Sequence, residues 1–204
     1  VDSYFAKKEI INLIKIKNDK VSVIYLGVDQ KYLSFEKNDY YLNNFDYKNY
    51  IVSVLSCVKY HNIINLLKAF KLFKEDNKNN LKLVFVLQIL DQKYFSEIKK
   101  FTDSNFFQNE IIFLYNLDNK YLVNLYKNAN LFIFSSYCEV FGLTSLEAMS
   151  QNCPVAISNR SALPEINGDA VKYFDPDSII EIKESIEILT INKEYTKNLI
   201  LKAN

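Results

Sequence analysis

Apolar residues follow two rhythms along this chain. Short, nearly continuous apolar runs alternate with longer stretches in which apolar positions recur every three or four residues. The runs VSVIYLG (21–27), YIVSVLSC (50–57), LKLVFVLQ (81–88), EIIFLY (110–115), LFIFSS (131–136) and PVAIS (154–158) have the length and residue types of buried strands. NIINLLKAFKLFKED (62–76) puts Ile63, Leu66, Leu67, Phe70 and Phe73 on one helical stripe. QKYFSEIKKFTDS (92–104), NKYLVNLYKNA (119–129) and LTSLEAMSQN (143–152) also read as helices, the second with Leu122, Leu125, Tyr126 and Ala129 on one face. Residues 162–166 read as a helical turn, 171–174 as a short strand, and 177 onward as one or two helices. Residues 28–49, polar and rich in Tyr and Asn, read as a long connection.

Strands alternating with helices, and apolar along their whole length, imply a parallel sheet covered on both faces. The expected fold is α/β, a Rossmann-like doubly wound parallel sheet of about six strands. No linker rich in Pro, Gly or Ser interrupts 50–204, which is expected to form one domain. Residues 1–49 are expected to be a lead-in from another unit.

Composition narrows the class. The 204 residues are 49% hydrophobic and 24% charged, with a net charge of +1. Such a balance leaves no electrostatic footprint for nucleic acid and no polybasic patch for a membrane surface. The longest apolar runs fall far short of a transmembrane span. No secretory signal opens the chain. It begins at Val1 and its one methionine is Met149, so it is expected to be an excerpt from a longer protein. Cys57, Cys138 and Cys153 are odd in number and widely spaced, which fits a reducing compartment better than a disulfide framework.

Glycine carries the candidate chemistry. The chain has three, where an average protein of this length has roughly fourteen. Gly142 falls between the strand 131–136 and the helix 143–152, at the sheet's carboxyl edge, where doubly wound folds bind ligands. Glycine there lets backbone approach a ligand closely. The N–H groups of Leu143, Thr144 and Ser145, with the helix dipole, would then favour a phosphate or diphosphate. The plainer reading is a turn that needed a glycine. Glu147 also has two readings: a ligand contact, or the answering half of a TSLE capping box with Thr144 as the cap. Glu139 lies past the strand end, where a carboxylate has no obvious structural use. No G-x-G-x-x-G fingerprint is present, which disfavours a dinucleotide-dependent oxidoreductase.

Taken together, SSYCEVFGLTSLEAMSQNCPVAISNRSALPEINGDAVKYFDP (135–176) resembles the donor-binding motif of retaining GT-B glycosyltransferases, family 4, the glycosyl transferases group 1. The family pattern pairs two glutamates eight residues apart, here Glu139 and Glu147, with Phe141, Gly142, Leu143, Ala148, Met149, Pro154 and Val155 matching between and after them. The resemblance extends upstream through LDNKYLVNLYKNANLFIFSS and YIVSVLSCVKYHNIINLLKAF to VIYLGVD and the opening VDSYFAKKEI, which resemble the family's interdomain stretch.

The resemblance implies one half of a GT-B fold, the half that binds a nucleoside diphosphate sugar. An acceptor glycan, or a lipid-linked one, would be bound by an N-terminal domain absent from this chain, so no turnover is expected from it alone. It implies glycosyl transfer with retention, without a metal or other cofactor, in bacterial surface polysaccharide synthesis. It implies a cytoplasmic protein, and admits peripheral association of the full-length protein with the inner face of the plasma membrane. By the same resemblance Glu139 is the catalytic residue beside the donor sugar. Phe141, Gly142, Leu143 and Thr144 form the donor loop, and Glu147 holds the ribose hydroxyls.

The sequence also departs from the family. Val140 replaces a small residue and Asn152 a common glycine. The family's Arg and Lys phosphate clamp falls on SCVKYHN, with Cys57 near the Arg and His61 near the Lys. His61 is then expected to donate to phosphate, with Lys59 close enough to compensate, or else to serve structurally at a helix start. A metal site, or a Cys–His nucleophilic pair at Cys57 or Cys138 with His61, lacks the further ligands or the orienting group that each needs. The alternative for the whole chain is a degenerate, non-catalytic domain kept for protein contact.

Overall fold

In a computed structural model, which describes residues 1–32, 49–104 and 109–203, the apolar runs assemble into one six-stranded parallel sheet. The strands are β1 (Tyr50–Cys57), β2 (Lys82–Ile89), β3 (Ile111–Tyr115), β4 (Leu131–Phe134), β5 (Val155–Ser158) and β6 (Lys172–Phe174). Their order across the sheet is β3-β2-β1-β4-β5-β6. The chain builds outward from β1 to one edge, then returns to start β4 on the other side of β1. That reversal makes the junction of β1 and β4 the switch point of a doubly wound sheet.

The helices follow from the 3.6-residue stripes. They are α1 (Tyr4–Ile14), α2 (Ile63–Asp76), α3 (Gln92–Ser104), α4 (Asn119–Asn128), α5 (Leu143–Ser150), α6 (Leu163–Asn167), α7 (Ile179–Ile191) and α8 (Lys193–Ala203). All five residues of the α2 stripe are buried, as are Leu122, Leu125 and Tyr126 of α4. Central strands β4 and β5 are buried throughout, which is why they read as unbroken apolar runs, whereas edge strand β3 is only half-buried.

Register shows where the sheet opens. β1 pairs with β2 along its full length, from Tyr50 opposite Lys82 to Cys57 opposite Ile89. Against β4 it pairs only at Ile51 with Leu131 and Val52 with Phe132. The carboxyl halves of β1 and β4 are therefore not laddered together.

Two elements differ from the sequence reading. Residues 21–27, expected as a strand, form none. No strand among the described residues flanks them. The backbone contacts described there are Val21 N–H to the Asn18 carbonyl at 3.4 Å, Ile24 N–H to the Val1 carbonyl at 2.9 Å and the Val1 amino group to the Ser22 carbonyl at 3.0 Å. Ile24, Tyr25 and Leu26 stay exposed. Conversely, α1 forms where the sequence reading had only a lead-in. Ser3 caps it, accepting from the Ala6 N–H at 3.1 Å. Of the expected connection 28–49, Gln30–Tyr32 makes one 3₁₀ turn, and 33–48 lie outside the described residues.

Residues 1–32 pack on the sheet domain. Tyr32 joins its core, the Ser3 hydroxyl donates to the Val140 carbonyl at 2.6 Å, and the Tyr25 and Phe141 rings lie 6.2 Å apart.

Candidate functional site

At the switch point the loop leaving β1 and the loop leaving β4 are laced together. A 3₁₀ turn, Lys59–His61, follows β1, and Asn62 then takes a left-handed conformation (φ 56°) that starts α2. From the other side, the Ser135 hydroxyl donates to the His61 carbonyl at 3.0 Å, and the Tyr137 N–H to the Tyr60 carbonyl at 2.8 Å. Glu139 is fixed in turn by its N–H, which donates to Ser161 Oγ at 2.8 Å.

These bonds bring His61 and Glu139 face to face. The imidazole is 6% exposed, with the rings of Tyr60 and Phe134 at 4.5 and 5.5 Å. Its Nδ1 lies 2.5 Å from the Ser56 carbonyl oxygen and its Nε2 3.0 Å from Glu139 Oε1. A carbonyl can only accept, so Nδ1 carries a proton. The Nε2 contact with Glu139 is an imidazolium–carboxylate pair only when the ring is protonated at both nitrogens.

Gly142 turns the chain from this loop into α5. It is the helix N-cap, in the left-handed region (φ 88°, ψ 46°), with no side-chain cap. The capping-box reading of Thr144 and Glu147 does not hold. Thr144 lies inside the first turn rather than before it, and Glu147 faces tyrosines rather than the helix start. The Gly142 carbonyl accepts from both the Ser145 N–H (3.1 Å) and the Ser145 hydroxyl (2.7 Å). Ser145 is thus not among the free amides that its position suggested. Among the described residues, no group accepts from the N–H of Leu143 or Thr144. Two unpaired N–H groups at a helix N-terminus favour an anion.

A cleft of about 390 Å³ opens here, lined by Ser56, His61, Gln88, Asn116, Glu139, Gly142, Leu143 and Thr144 together with apolar residues of β1, β2 and β4. The structure therefore gathers His61, Glu139, Gly142, Leu143 and Thr144 of the sequence-derived set. It leaves three outside the lining. Lys59 is on the surface, Phe141 is buried against Tyr25, and Glu147 is one turn further along α5. Sequence reasoning missed Ser56, Gln88 and Asn116. Each is a polar residue at the carboxyl end of an apolar run, which is the signal that finds such positions.

The two buried cysteines are poorly placed to act as nucleophiles. Burial, with Asp91 adding to it, pushes the Cys57 thiol up to about 11, and burial raises Cys153 further still. Cys138 is exposed. Among the described residues, no three of His, Cys, Asp and Glu gather to hold a metal ion, and no helix is long and apolar enough to cross a membrane.

Comparisons with known proteins bear on the family and the fold. The sequence model of the family "Glycosyl transferases group 1" matches residues 34–204. An O-antigen chain mannosyltransferase of Salmonella typhimurium is 25% identical over 175 residues, which is 86% of this chain and 46% of that protein. An O-antigen chain mannosyltransferase of Escherichia coli is 27% identical over 190 residues, 90% of this chain and 49% of its own length. The chain thus spans less than half the length of these relatives. In fold it is similar to an Anabaena protein crystallised with UDP-glucose, with a TM-score of 0.86 at 17% identity, covering 100% of this chain and 56% of that one.

Proposed function

This chain belongs to the glycosyl transferases group 1 family, and from that premise we propose that it is the nucleotide-sugar-binding half of a retaining, metal-independent glycosyltransferase. The single observation that carries the reading is the cleft at the switch point, with two unpaired N–H groups on one wall and a His61–Glu139 pair on the other.

The diphosphate of the donor lies against the N–H groups of Leu143 and Thr144, with His61 Nε2 as the nearest cationic donor. Lys59, two residues before His61 on the exposed side, is the second cation. Phe141 packs behind the loop and holds its course, while Glu147 accepts from the ribose hydroxyls. Glu139 stands beside the anomeric carbon. Transfer breaks the bond from that carbon to the diphosphate and forms one to an acceptor hydroxyl, whose proton passes to the departing diphosphate. Positive charge develops at the carbon meanwhile, and a fixed carboxylate beside it stabilises that charge.

The acceptor is a glycan or a lipid-linked glycan, bound by a further domain of the full-length protein. The sugar passes into bacterial surface polysaccharide, with mannose the first candidate because the relatives are named mannosyltransferases. The protein acts in the cytoplasm, at the inner face of the plasma membrane where the acceptor is lipid-linked. Buried Cys57 at the expected Arg position favours a second reading, a non-catalytic domain that has lost its donor.

Titration of the chain with UDP, GDP and ADP, followed by amide shifts, tests this. Saturable shifts at Gly142, Leu143, Thr144 and His61 with one nucleotide are expected, and Glu147→Ala weakens them. No shift with any of the three in the folded chain would sink the donor-binding reading in favour of the second.

A further inference from the structure

Glu147 is 9% exposed and lies one helical turn from Leu143 and Thr144, so it sits on the α5 stripe that begins at the cleft. Two phenols reach its carboxylate from different elements. Tyr126 on α4, with none of its surface exposed, donates to Oε2 at 3.2 Å. Tyr32, 4% exposed and ending the turn Gln30–Tyr32, makes a second side-chain hydrogen bond to the same carboxylate. Both phenols are held in their protonated form, by burial first and by the Glu147 charge second. Each therefore keeps a proton to donate.

Neither ring is free to turn away. The Tyr126 ring meets Phe132 edge-on at 5.7 Å. The backbone carbonyl of Tyr32 accepts from the Gln151 side-chain amide, which ties the turn to the end of α5.

We propose that Tyr32 and Tyr126 are positioning residues for Glu147, orienting its carboxylate toward the vicinal hydroxyls of a ribose and so setting a preference for ribonucleoside over 2′-deoxyribonucleoside diphosphates. The inference deepens the donor-binding role given to Glu147 above and rests on it. A carboxylate has about four acceptor positions. Two phenols fix its plane, and the hydroxyls of a vicinal diol are the donors that a carboxylate so oriented can accept from. Were Glu147 free to rotate about its side-chain torsions, the same two bonds to ribose would cost more ordering. The competing view makes the three side chains a polar contact that pins residues 30–32 to α5 and does nothing for a ligand. Dependence on the ribose 2′-hydroxyl separates the two.

The experiment is calorimetric titration of the chain with UDP, GDP and ADP, and then with the 2′-deoxy form of whichever binds, on the native protein, Tyr126→Phe and Tyr32→Phe. The native chain is expected to prefer the ribonucleotide by about tenfold, the worth of one hydrogen bond to a charged group. Each substitution is expected to lower ribonucleotide affinity more than 2′-deoxy affinity, shrinking the preference to within about threefold. Thermal unfolding of each variant establishes that it is folded, and Tyr32→Phe carries the test should the fully buried Tyr126→Phe not fold. A preference that persists in both variants overturns the proposal. So does an equal loss of both nucleotides, or a native chain with no preference. If the native chain binds none of the three nucleotides, the donor-binding reading falls and this inference with it, a result distinct from losing the preference alone.

Discussion

His61 Nε2 stands 3.0 Å from Glu139 Oε1, while Nδ1 of the same ring is held by the Ser56 carbonyl. One residue thus joins the end of β1 to the loop after β4 across the gap where those strands stop pairing. A donor diphosphate entering the cleft meets a ring already oriented, but one it must share with Glu139. Removing the ring is expected to weaken nucleoside diphosphate binding about tenfold in His61→Ala, the worth of one charge-assisted hydrogen bond. His61→Lys is expected to retain most of the affinity, because an ammonium can serve both the carboxylate and a phosphate. Calorimetry on folded variants checks this, and undiminished binding in His61→Ala would leave His61 a purely structural role before α2.

Gly142 is expected to tolerate no side chain. Its φ of 88° is one that L-residues rarely adopt, and an added Cβ would lie 2.5 Å from Leu163 Cδ2. Leu163 is fully buried, so its side chain must shift within the core to make room. Gly142→Ala is expected to cost about 1–3 kcal/mol from backbone strain and overpacking together. Urea unfolding gives the value, with an unchanged slope if the denatured state is unaffected. A loss below about 0.5 kcal/mol, the range of a neutral surface change, would contradict this geometry.

How much of this was legible beforehand depends on which interactions fix each part. The sheet was, because six parallel strands buried on both faces must be written as apolar runs, and their alternation with helical stripes specifies crossovers. The switch point was signalled by the positions of Gly142, between a strand and a helix, and Glu139, just past a strand end, although Gly142 taken alone read equally well as a turn. Residues 21–27 were misread because β-type composition describes a strand's surface and says nothing about whether a neighbour exists to pair with it. Left-handed positions were half hidden. The chain uses Asn62, Asn116, Asn152, Lys15 and Ser161 at positive φ, more often than glycine, so counting glycines misses most of its turns. Tyr32 and Tyr126 gave no signal, since they are two of fifteen tyrosines and only the fold brings them to Glu147.

Glu165 anchors α1 to the sheet domain. Its two carboxylate oxygens accept from the N–H of Tyr4 at 2.7 Å and of Phe5 at 2.9 Å, and the Tyr25 hydroxyl donates to it at 2.9 Å. Desolvation alone would raise its pKa, but these three donors outweigh it and hold the carboxyl below its ordinary 4.5. A depressed folded value means that the contribution is fully present above the unfolded pKa and is lost as pH falls through the folded one. The Tyr4 and Phe5 amide shifts are therefore expected to be flat above pH 5 and to titrate together with a midpoint below 4.5. Glu165→Gln should abolish that titration. A midpoint at or above the ordinary value would mean that the three bonds do not form in solution.

Asn62 offers a reversal of an ordinary rule. It starts α2 in the left-handed region at φ 56°, and its side-chain amide donates to the Pro176 carbonyl at 2.7 Å. Asn62→Ala and Asn62→Gly both delete that bond. They differ only in the Cβ, which alanine must hold in a conformation that costs an L-residue about 1–2 kcal/mol. At most positions glycine is the less stable of the two by about 0.5–1 kcal/mol, through its greater freedom when unfolded. Here the strain term runs the other way and is the larger, so Asn62→Gly is expected to melt above Asn62→Ala, and both below the native chain. The lost amide bond accounts for about 1 kcal/mol of either deficit. It costs less than full exposure of an orphaned acceptor because Asn65 also donates to the Pro176 carbonyl, at 3.3 Å. Thermal unfolding of the three proteins decides it: alanine melting above glycine would mean that position 62 relaxes out of the left-handed region. The turn that carries His61 toward Glu139 would then owe nothing to Asn62.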